Sequence, residues 1–129
     1  MTRYAYLGPS GTFTEAALKT VARPEDELIP FSNVTAALDA VRTNKADSAL
    51  VPMENSVEGV VARTLDEVAI GDPLVIYGET TLAVTFALMV RAGGDAKSIK
   101  RIATHPHAES QCRAYIAKHH PNAEIIAAS

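Results

Sequence analysis

Residues 3–19, RYAYLGPSGTFTEAALK, have the pattern of a strand, a tight turn and a helix. Arg3 to Leu7 is a short β-prone run, and the Gly-Pro-Ser-Gly turn after it is rich in residues that interrupt regular structure. Thr12 and Glu15 have the spacing of a capping box, so a helix is predicted to begin here and to end at Pro24. Its inner face would carry four apolar residues, Phe13, Ala16, Ala17 and Val21.

The same order of strand and helix recurs in the following residues. Glu27 to Phe31 is a second strand candidate, and Ser32 or Asn33 can cap a second helix. The inner face of that helix would hold Val34, Ala37, Leu38 and Val41. Asp47 to Val51 is almost wholly apolar after its second residue, which is typical of a buried parallel strand.

A third helix is predicted after Ser56, because apolar residues then recur at helical spacing. Its stripe would consist of Val57, Val60, Val61, Thr64, Leu65 and Val68. Three successive pairs of strand and helix predict right-handed βαβ units and a parallel sheet. The fold class is therefore α/β.

The sequence changes character after residues 71–73, Gly-Asp-Pro. Leu74 to Val90 is long and β-rich, and could hold two strands joined near Gly78. Further on we expect a strand over Arg101 to Thr104, a helix over His107 to His119 with Ala108, Cys112, Tyr115 and Ile116 inward, and a strand over Glu124 to Ala127. We divide the chain into a first α/β lobe, residues 1–76, and a second, residues 77–129.

The composition argues against several classes of function. Apolar residues make up 47% and charged residues 21% of the chain, as in soluble globular proteins. The formal charge of −3 and the single short basic cluster around Lys100 argue against nucleic-acid binding. The lone cysteine, Cys112, cannot form an internal disulfide and is predicted to be a buried, inert thiol. Without a signal segment or an apolar run of membrane-spanning length, a cytoplasmic protein with no membrane partner is expected.

Three polar segments follow predicted strands: residues 8–12, 52–56 and 104–107. Ligands of open α/β sheets bind outside the carboxyl ends of the strands, and the N-termini of helices favour anions. A cleft formed from such segments suits carboxylates or phosphates. Residues 8–12 match neither a P-loop nor a dinucleotide motif, and taken alone they favour a plain turn and helix cap.

Glu54 and Asn55 are the most informative polar pair. An amide both donates and accepts hydrogen bonds, and a carboxylate can orient a hydroxyl or move a proton. A polar loop capped at Ser56 explains the same residues equally well. His105 and His107 lack a third ligand at a familiar spacing, so no metal is predicted. Gln111 could reach the cleft, although most helical glutamines are merely exposed.

Two motifs together resemble the prephenate dehydratase family: Gly8-Pro9-Ser10-Gly11-Thr12-Phe13 and Pro52-Met53-Glu54-Asn55-Ser56. Weaker matches are Gly78-Glu79 and Thr104-His105-Pro106 followed by Gln111-Cys112. The resemblance runs from about Arg3 to the last residue and corresponds to the N-terminal part of the family's catalytic domain. It implies two α/β lobes of periplasmic-binding-protein type, with parallel or mixed sheets and the substrate between them.

The resemblance also implies an activity, the conversion of prephenate to phenylpyruvate on the route to phenylalanine, without a cofactor. It implies a homodimer or homotetramer for the full-length protein, since family members usually associate in this way. Glu54 and Asn55 would be the catalytic residues. The substrate-binding residues would be Ser10, Gly11, Thr12, Ser56, Thr104 and Gln111.

The family's Thr-Arg-Phe motif and its phenylalanine-binding regulatory domain are absent from these 129 residues. We therefore expect an incomplete second lobe, and a chain that is inactive by itself. Two alternatives remain open. Arogenate dehydratase requires the same architecture, and a non-catalytic solute-binding or sensing module would share the two lobes and the anion-binding helix ends.

Overall fold

The computed structural model of the chain describes residues 1–128. These residues form two compact units, one from Met1 to Val84 and one from Thr85 onward. The assignment of residues 1–76 and 77–129 to two lobes of one domain stays a prediction.

The first unit contains a three-stranded parallel sheet with the strand order β2-β1-β3. The strands are β1 (Arg3–Leu7), β2 (Glu27–Phe31) and β3 (Ser48–Leu50). Helix α1 (Phe13–Lys19) follows β1 and helix α2 (Val34–Arg42) follows β2. The predicted α/β class with a parallel sheet is confirmed.

Small side chains build the core of this unit. Ala5, Ala37, Ala40 and Ala46 are almost fully buried and form one cluster, with Phe31, Val41, Ala49 and Val51 packed around it. Alanine on both β1 and α2 lets the helix backbone approach the sheet closely. Asn33 caps α2, as predicted, because its side chain accepts a hydrogen bond of 2.8 Å from the Ala36 N–H.

Helix α1 differs from the prediction in its length and its inner face. It ends at Lys19, well before Pro24, where the Thr20 N–H closes the last turn on the Ala17 carbonyl. Leu18 is completely buried, whereas Phe13 and Val21 are about half exposed, at 47% and 52%. The predicted face of Phe13, Ala16, Ala17 and Val21 is therefore wrong, because the helix turns the adjacent stripe through Leu18 toward the sheet.

The predicted helix after Ser56 is also wrong in its first part. A short antiparallel hairpin comes first, formed by β4 (Glu54–Asn55) and β5 (Gly59–Val60). Helix α3 (Ala62–Ile70) starts only after it, so Ser56 is a turn residue and not a helix cap. Gly59 has φ +82°, outside the right-handed helical region, which keeps the helix from extending back through residue 59.

The second unit contains a pair of parallel strands, β6 (Arg101–Thr104) and β7 (Glu124–Ala127), joined by helix α4 (Pro106–His119). A 3₁₀ turn at Ala96–Ser98 precedes them. These strands agree with the prediction. Cys112 and Ile116 are half-buried, and Tyr115 is 54% exposed. The predictions that Tyr115 faces inward and that the Cys112 thiol is buried are therefore wrong.

Leu74 to Val90 contains no strand, although its residues are described throughout. The prediction of β-structure there is wrong, because a β-prone run becomes a strand only where a neighbouring strand completes its hydrogen bonds.

Candidate functional site

Two polar segments leave the same edge of the three-stranded sheet. Strands β1 and β3 are parallel neighbours, and Tyr6 pairs with Leu50. The residues that follow them, from Gly8 and from Pro52, therefore start side by side at the carboxyl edge. Strand β2 ends at the same edge, where the Gly8 N–H donates to the Phe31 carbonyl over 2.8 Å. This edge is where ligands of open α/β sheets bind.

Two glycines shape the first segment. A Cβ on Gly8 would lie 2.7 Å from the Cβ of Pro30, so any other residue would push β1 away from β2. Gly11 has φ +87°, a conformation that side chains disfavour. The turn that carries Ser10, Gly11 and Thr12 is therefore fixed by its backbone.

The Gly11 N–H and the Ser10 hydroxyl of this turn already have partners inside the chain. The Gly11 N–H donates to the Glu15 carboxylate, and Glu15 also pairs with Lys19 over 2.7 Å. Both contacts lower the pKa of Glu15, the Gly11 N–H most strongly. Ser10 Oγ lies 3.1 Å from the buried hydroxyl of Tyr6. A bound anion would therefore compete with Glu15 for the Gly11 N–H.

Asn55 is placed differently, because only one end of its amide is used by the fold. Its Oδ1 accepts hydrogen bonds from the N–H groups of Val57, at 2.9 Å, and Glu58, at 3.3 Å. Its Nδ2 donates to no other group in the described part of the chain. The half-buried side chain thus shapes the hairpin turn and keeps two N–H donors for an outside acceptor. A carboxylate or a carbonyl oxygen suits that position.

Glu54 precedes Asn55 in the same short strand and is exposed. Successive side chains of a strand point to opposite faces, so the two residues face different sides of the hairpin. Ser56 lies exposed in the turn between them and Gly59. A ligand held by Asn55 meets Glu54 only around the edge of the hairpin.

The base of the hairpin is attached to helix α3. The hydroxyl of Thr64 donates to the Pro52 carbonyl over 2.7 Å, and the Val61 N–H donates to the Met53 carbonyl over 2.9 Å. Thr64 is 1% exposed. In the sequence it forms part of an apolar stripe, and a hydroxyl in such a stripe is itself a sign of a buried hydrogen bond.

Helix α3 is in turn bound to α2 by an ionic network. Arg42 contacts Glu67 at 2.9 Å and Asp39 at 2.8 Å. The hydroxyl of Thr35 donates to Glu67 over 2.7 Å, and Arg63 pairs with the same carboxylate at 2.9 Å. The Thr35 hydroxyl, followed by Arg42, lowers the pKa of Glu67. The network fixes α3, and through it the hairpin, against the core of the first unit.

The remaining predicted residues belong to the second unit. Thr104 ends β6, and Gln111 lies half-buried in the second turn of α4. His105 caps that helix, because its Nδ1 accepts from the His107 N–H at 3.2 Å. Ser10 to Thr12 and Glu54 to Ser56 thus follow neighbouring strands that end at the same sheet edge, and their joint contact with one ligand stays a prediction. Their approach to Thr104 and Gln111 stays a prediction.

Among residues 1–128, no three His, Cys, Asp or Glu side chains are grouped closely enough to hold a metal ion. Within the same range, none of the helices combines the length and apolar character needed to cross a membrane.

A three-stranded parallel sheet with helices following its strands places the first unit in the α/β class. Comparison with known protein families then identifies the family. The family model of prephenate dehydratase matches residues 4–129. The chain belongs to the prephenate dehydratase family, as its two motifs predict.

Similar proteins support the assignment. Prephenate dehydratase of Amycolatopsis methanolica is 46% identical over 128 residues, which cover 99% of this chain and 41% of the relative. The protein of the same name from Mycobacterium tuberculosis H37Rv is 46% identical over 134 residues, which cover 97% of this chain and 42% of the relative. The chain thus spans about two fifths of the length of these curated relatives.

Solved structures agree. Prephenate dehydratase from Arthrobacter aurescens, solved in complex with L-Phe, matches with a TM-score of 0.84 and 48% identity over 98% of this chain and 42% of that one. The Streptococcus mutans enzyme matches with a TM-score of 0.50 and 40% identity over 54% of this chain and 36% of that one. The predicted periplasmic-binding-protein-like α/β class is confirmed.

Proposed function

We propose that the chain forms part of the catalytic domain of a prephenate dehydratase, which converts prephenate to phenylpyruvate in the cytoplasm as a dimer or tetramer. The carrying observation is the amide of Asn55. Its Oδ1 is held by the hairpin while its Nδ2 has no partner among the described residues. Such a donor, at the carboxyl edge of a parallel sheet, is suited to the carboxylate or keto oxygen of a small dianion.

For this reaction the protein must bind the substrate and help one proton to reach the departing hydroxyl. Prephenate carries a ring carboxylate, a ring hydroxyl and a pyruvoyl side chain. The bond from the ring to its carboxylate carbon breaks, the electron pair moves into the ring, and the carbon–oxygen bond of the hydroxyl breaks. The hydroxyl takes up a proton and leaves as water, carbon dioxide is released, and the ring becomes aromatic.

Asn55 would bind an anionic group, and Glu54, on the opposite face, would reach around the edge of the hairpin to orient the departing hydroxyl or relay its proton. General-acid assistance of this kind contributes about 10² to 10⁴ in rate. The turn of Ser10, Gly11 and Thr12 would contribute once the substrate replaces Glu15 at the Gly11 N–H. Ser56 would act as a turn donor, since it does not begin a helix.

In the same proposal, the second unit completes the substrate contacts. Thr104 ends a parallel strand that leads into a helix, as β1 does in the first unit, and Gln111 lies in the second turn of that helix. A hydroxyl and a carboxamide at such a place add neutral hydrogen bonds to a substrate that carries two negative charges.

The test is a chimera in which this chain replaces the matching segment of the Amycolatopsis methanolica relative. Phenylpyruvate absorbance is followed after addition of prephenate, with the unmodified relative as the positive control and this chain alone as a second sample. Turnover by the chimera within about tenfold of the relative supports the proposal. A folded chimera that binds prephenate without turnover indicates a solute-binding module, and turnover of arogenate alone indicates arogenate dehydratase. Light scattering of the chimera measures its oligomeric state.

A further inference from the structure

We infer that Thr64 is a positioning residue of the candidate site, because its hydroxyl fixes the segment from which Glu54 and Asn55 project. The inference rests on the proposed function, since it gives Thr64 a role in the same site. Thr64 itself is buried, with 1% of its surface exposed. It would act through the Pro52 carbonyl, to which it donates at 2.7 Å.

Two consecutive carbonyls just before Glu54 are held at the start of α3, one by Thr64 in its first turn and one by Val61, its N-cap residue. Thr64 Oγ1 binds the Pro52 carbonyl at 2.7 Å and the Val61 N–H binds the Met53 carbonyl at 2.9 Å. These bonds fix the direction in which the chain enters the hairpin. Asn55 follows two residues after the second carbonyl, so a tilt of the entry moves its amide directly.

The hairpin needs this support because it is very short. Each strand has two residues, and the pair forms a sheet of its own. Isolated two-stranded hairpins are marginally stable in water even when they are longer. The turn bonds of Asn55 fix its tip and do not attach the hairpin to the rest of the unit. The bonds of Thr64 and Val61 to the Pro52 and Met53 carbonyls attach its base to the start of α3.

Helix α3, which carries Thr64, is itself connected to the core through α2. Glu67 and Arg42 connect α3 to α2 at 2.9 Å, with 11% and 12% of their side chains exposed. Helix α2 contributes Ala37 and Ala40 to the buried core. A continuous series of contacts therefore runs from the core to the Pro52 carbonyl, and Thr64 is its last side chain.

The required chemical group is the hydroxyl and not the bulk of the side chain. Valine has the shape of threonine but cannot donate, and would leave the Pro52 carbonyl without this partner. Serine keeps the hydroxyl and loses only a methyl group. Thr64→Val and Thr64→Ser therefore separate positioning from packing.

The kinetic test uses the chimera described above. We expect Thr64→Val to lower kcat about 10²-fold, as a displacement near 1 Å of a substrate-contacting group does. Thr64→Ser, which keeps the hydroxyl, should have a kcat within about threefold of the parent value. The inference is overturned when Thr64→Val lowers the melting temperature but leaves kcat and KM as they were, since Thr64 would then be purely structural.

A second measurement does not depend on turnover. Amide hydrogen exchange of Val57 and Glu58, and the Asn55 side-chain NH₂ signals, are recorded by NMR on this chain. Thr64→Val should speed exchange at the hairpin more than at Ala5 in the core, and Thr64→Ser should not. Equal protection in all three proteins refutes the positioning role even where the chimera proves inactive and the proposed function fails. Thr64→Ala replaces Thr64→Val if the latter does not fold.

Discussion

Substituting Asn55→Asp separates ligand binding from folding, because the two side chains differ only at the atom that the fold leaves free. The aspartate keeps an oxygen for the N–H groups of Val57 and Glu58, which Asn55 accepts at 2.9 and 3.3 Å. It replaces the Nδ2 donor by a second, negatively charged oxygen. The hairpin should therefore survive while the donor is lost.

The expected loss of binding has two parts. A hydrogen bond to a charged group contributes about 1.5–3 kcal/mol. Repulsion between the new carboxylate and an anionic ligand about 4 Å away adds between about 1 kcal/mol in water and about 4 kcal/mol near a protein surface. Asn55 is half-buried, so the true value lies between these limits. Affinity should fall at least about 60-fold, at about 1.4 kcal/mol per tenfold.

In contrast to the affinity, the free energy of unfolding should change little in Asn55→Asp. Asn55→Asp should change the free energy of unfolding by no more than about 0.5 kcal/mol, as surface substitutions usually do. Asn55→Ala removes both turn bonds and should cost about 1–2 kcal/mol. Urea unfolding of this chain measures the stabilities, and kcat/KM for prephenate in the chimera measures the function. An Asn55→Asp chimera with unchanged kcat/KM would remove Asn55 from the site.

Three further predictions concern the framework of the first unit. Gly71→Ala should destabilise the first unit by about 1–3 kcal/mol in urea unfolding. The added Cβ would overlap the Arg42 guanidinium and lie 2.5 Å from a carbonyl oxygen of α3, and an unchanged midpoint would contradict this close approach. Leu18→Ala should cost about 2–5 kcal/mol by the same measurement, since Leu18 is completely buried, and a loss below about 1 kcal/mol would show that α1 is not seated as described. Arg3 lowers the pKa of Asp47 to about 2, so this pair stabilises the fold above the unfolded pKa near 4 and loses that contribution as the pH falls toward 2. Asp47→Asn should therefore flatten the decline of the urea midpoint between about pH 4 and 2, and an equally steep decline would refute the linkage.

Several elements could be predicted from the sequence to the residue. Strands Arg3–Leu7, Glu27–Phe31 and Arg101–Thr104 agree in both bounds. Each is a short β-prone run that ends at a breaker or a polar capping residue, so local chemistry decides where it stops. The same reasoning predicts that Glu54 and Asn55 follow a strand, and they do come four and five residues after β3 ends at Leu50, but within a hairpin that was not predicted.

The hairpin was missed because apolar spacing carries no information about hydrogen bonds. Val57, Val60 and Val61 match a helical stripe, but Asn55 captures two backbone N–H groups and so competes with helix formation. Gly59, with φ +82°, marks the turn. An asparagine followed four residues later by glycine was the available signal.

The loop of residues 8–12 shows a different limit. Half of the predicted capping box is confirmed, because the Thr12 side chain accepts from the Glu15 N–H at 3.4 Å. The Glu15 carboxylate reaches Gly11 and not Thr12, however, so it occupies a donor that the sequence left for a ligand. Which N–H a flexible side chain selects depends on the turn geometry, and sequence spacing does not determine it.

Asparagine at position 55 has two physical explanations. Aspartate would form the same turn, so the choice of the neutral amide requires a reason beyond the fold. Repulsion from the nearby carboxylates of Glu54 and Glu58 is one reason, and a ligand with negative charge is the other. Repulsion within an exposed pair of like charges costs little free energy, so the first reason is weak. The two make opposite predictions for Asn55→Asp: repulsion within the hairpin lowers stability and spares ligand affinity, whereas an anionic ligand spares stability and loses affinity.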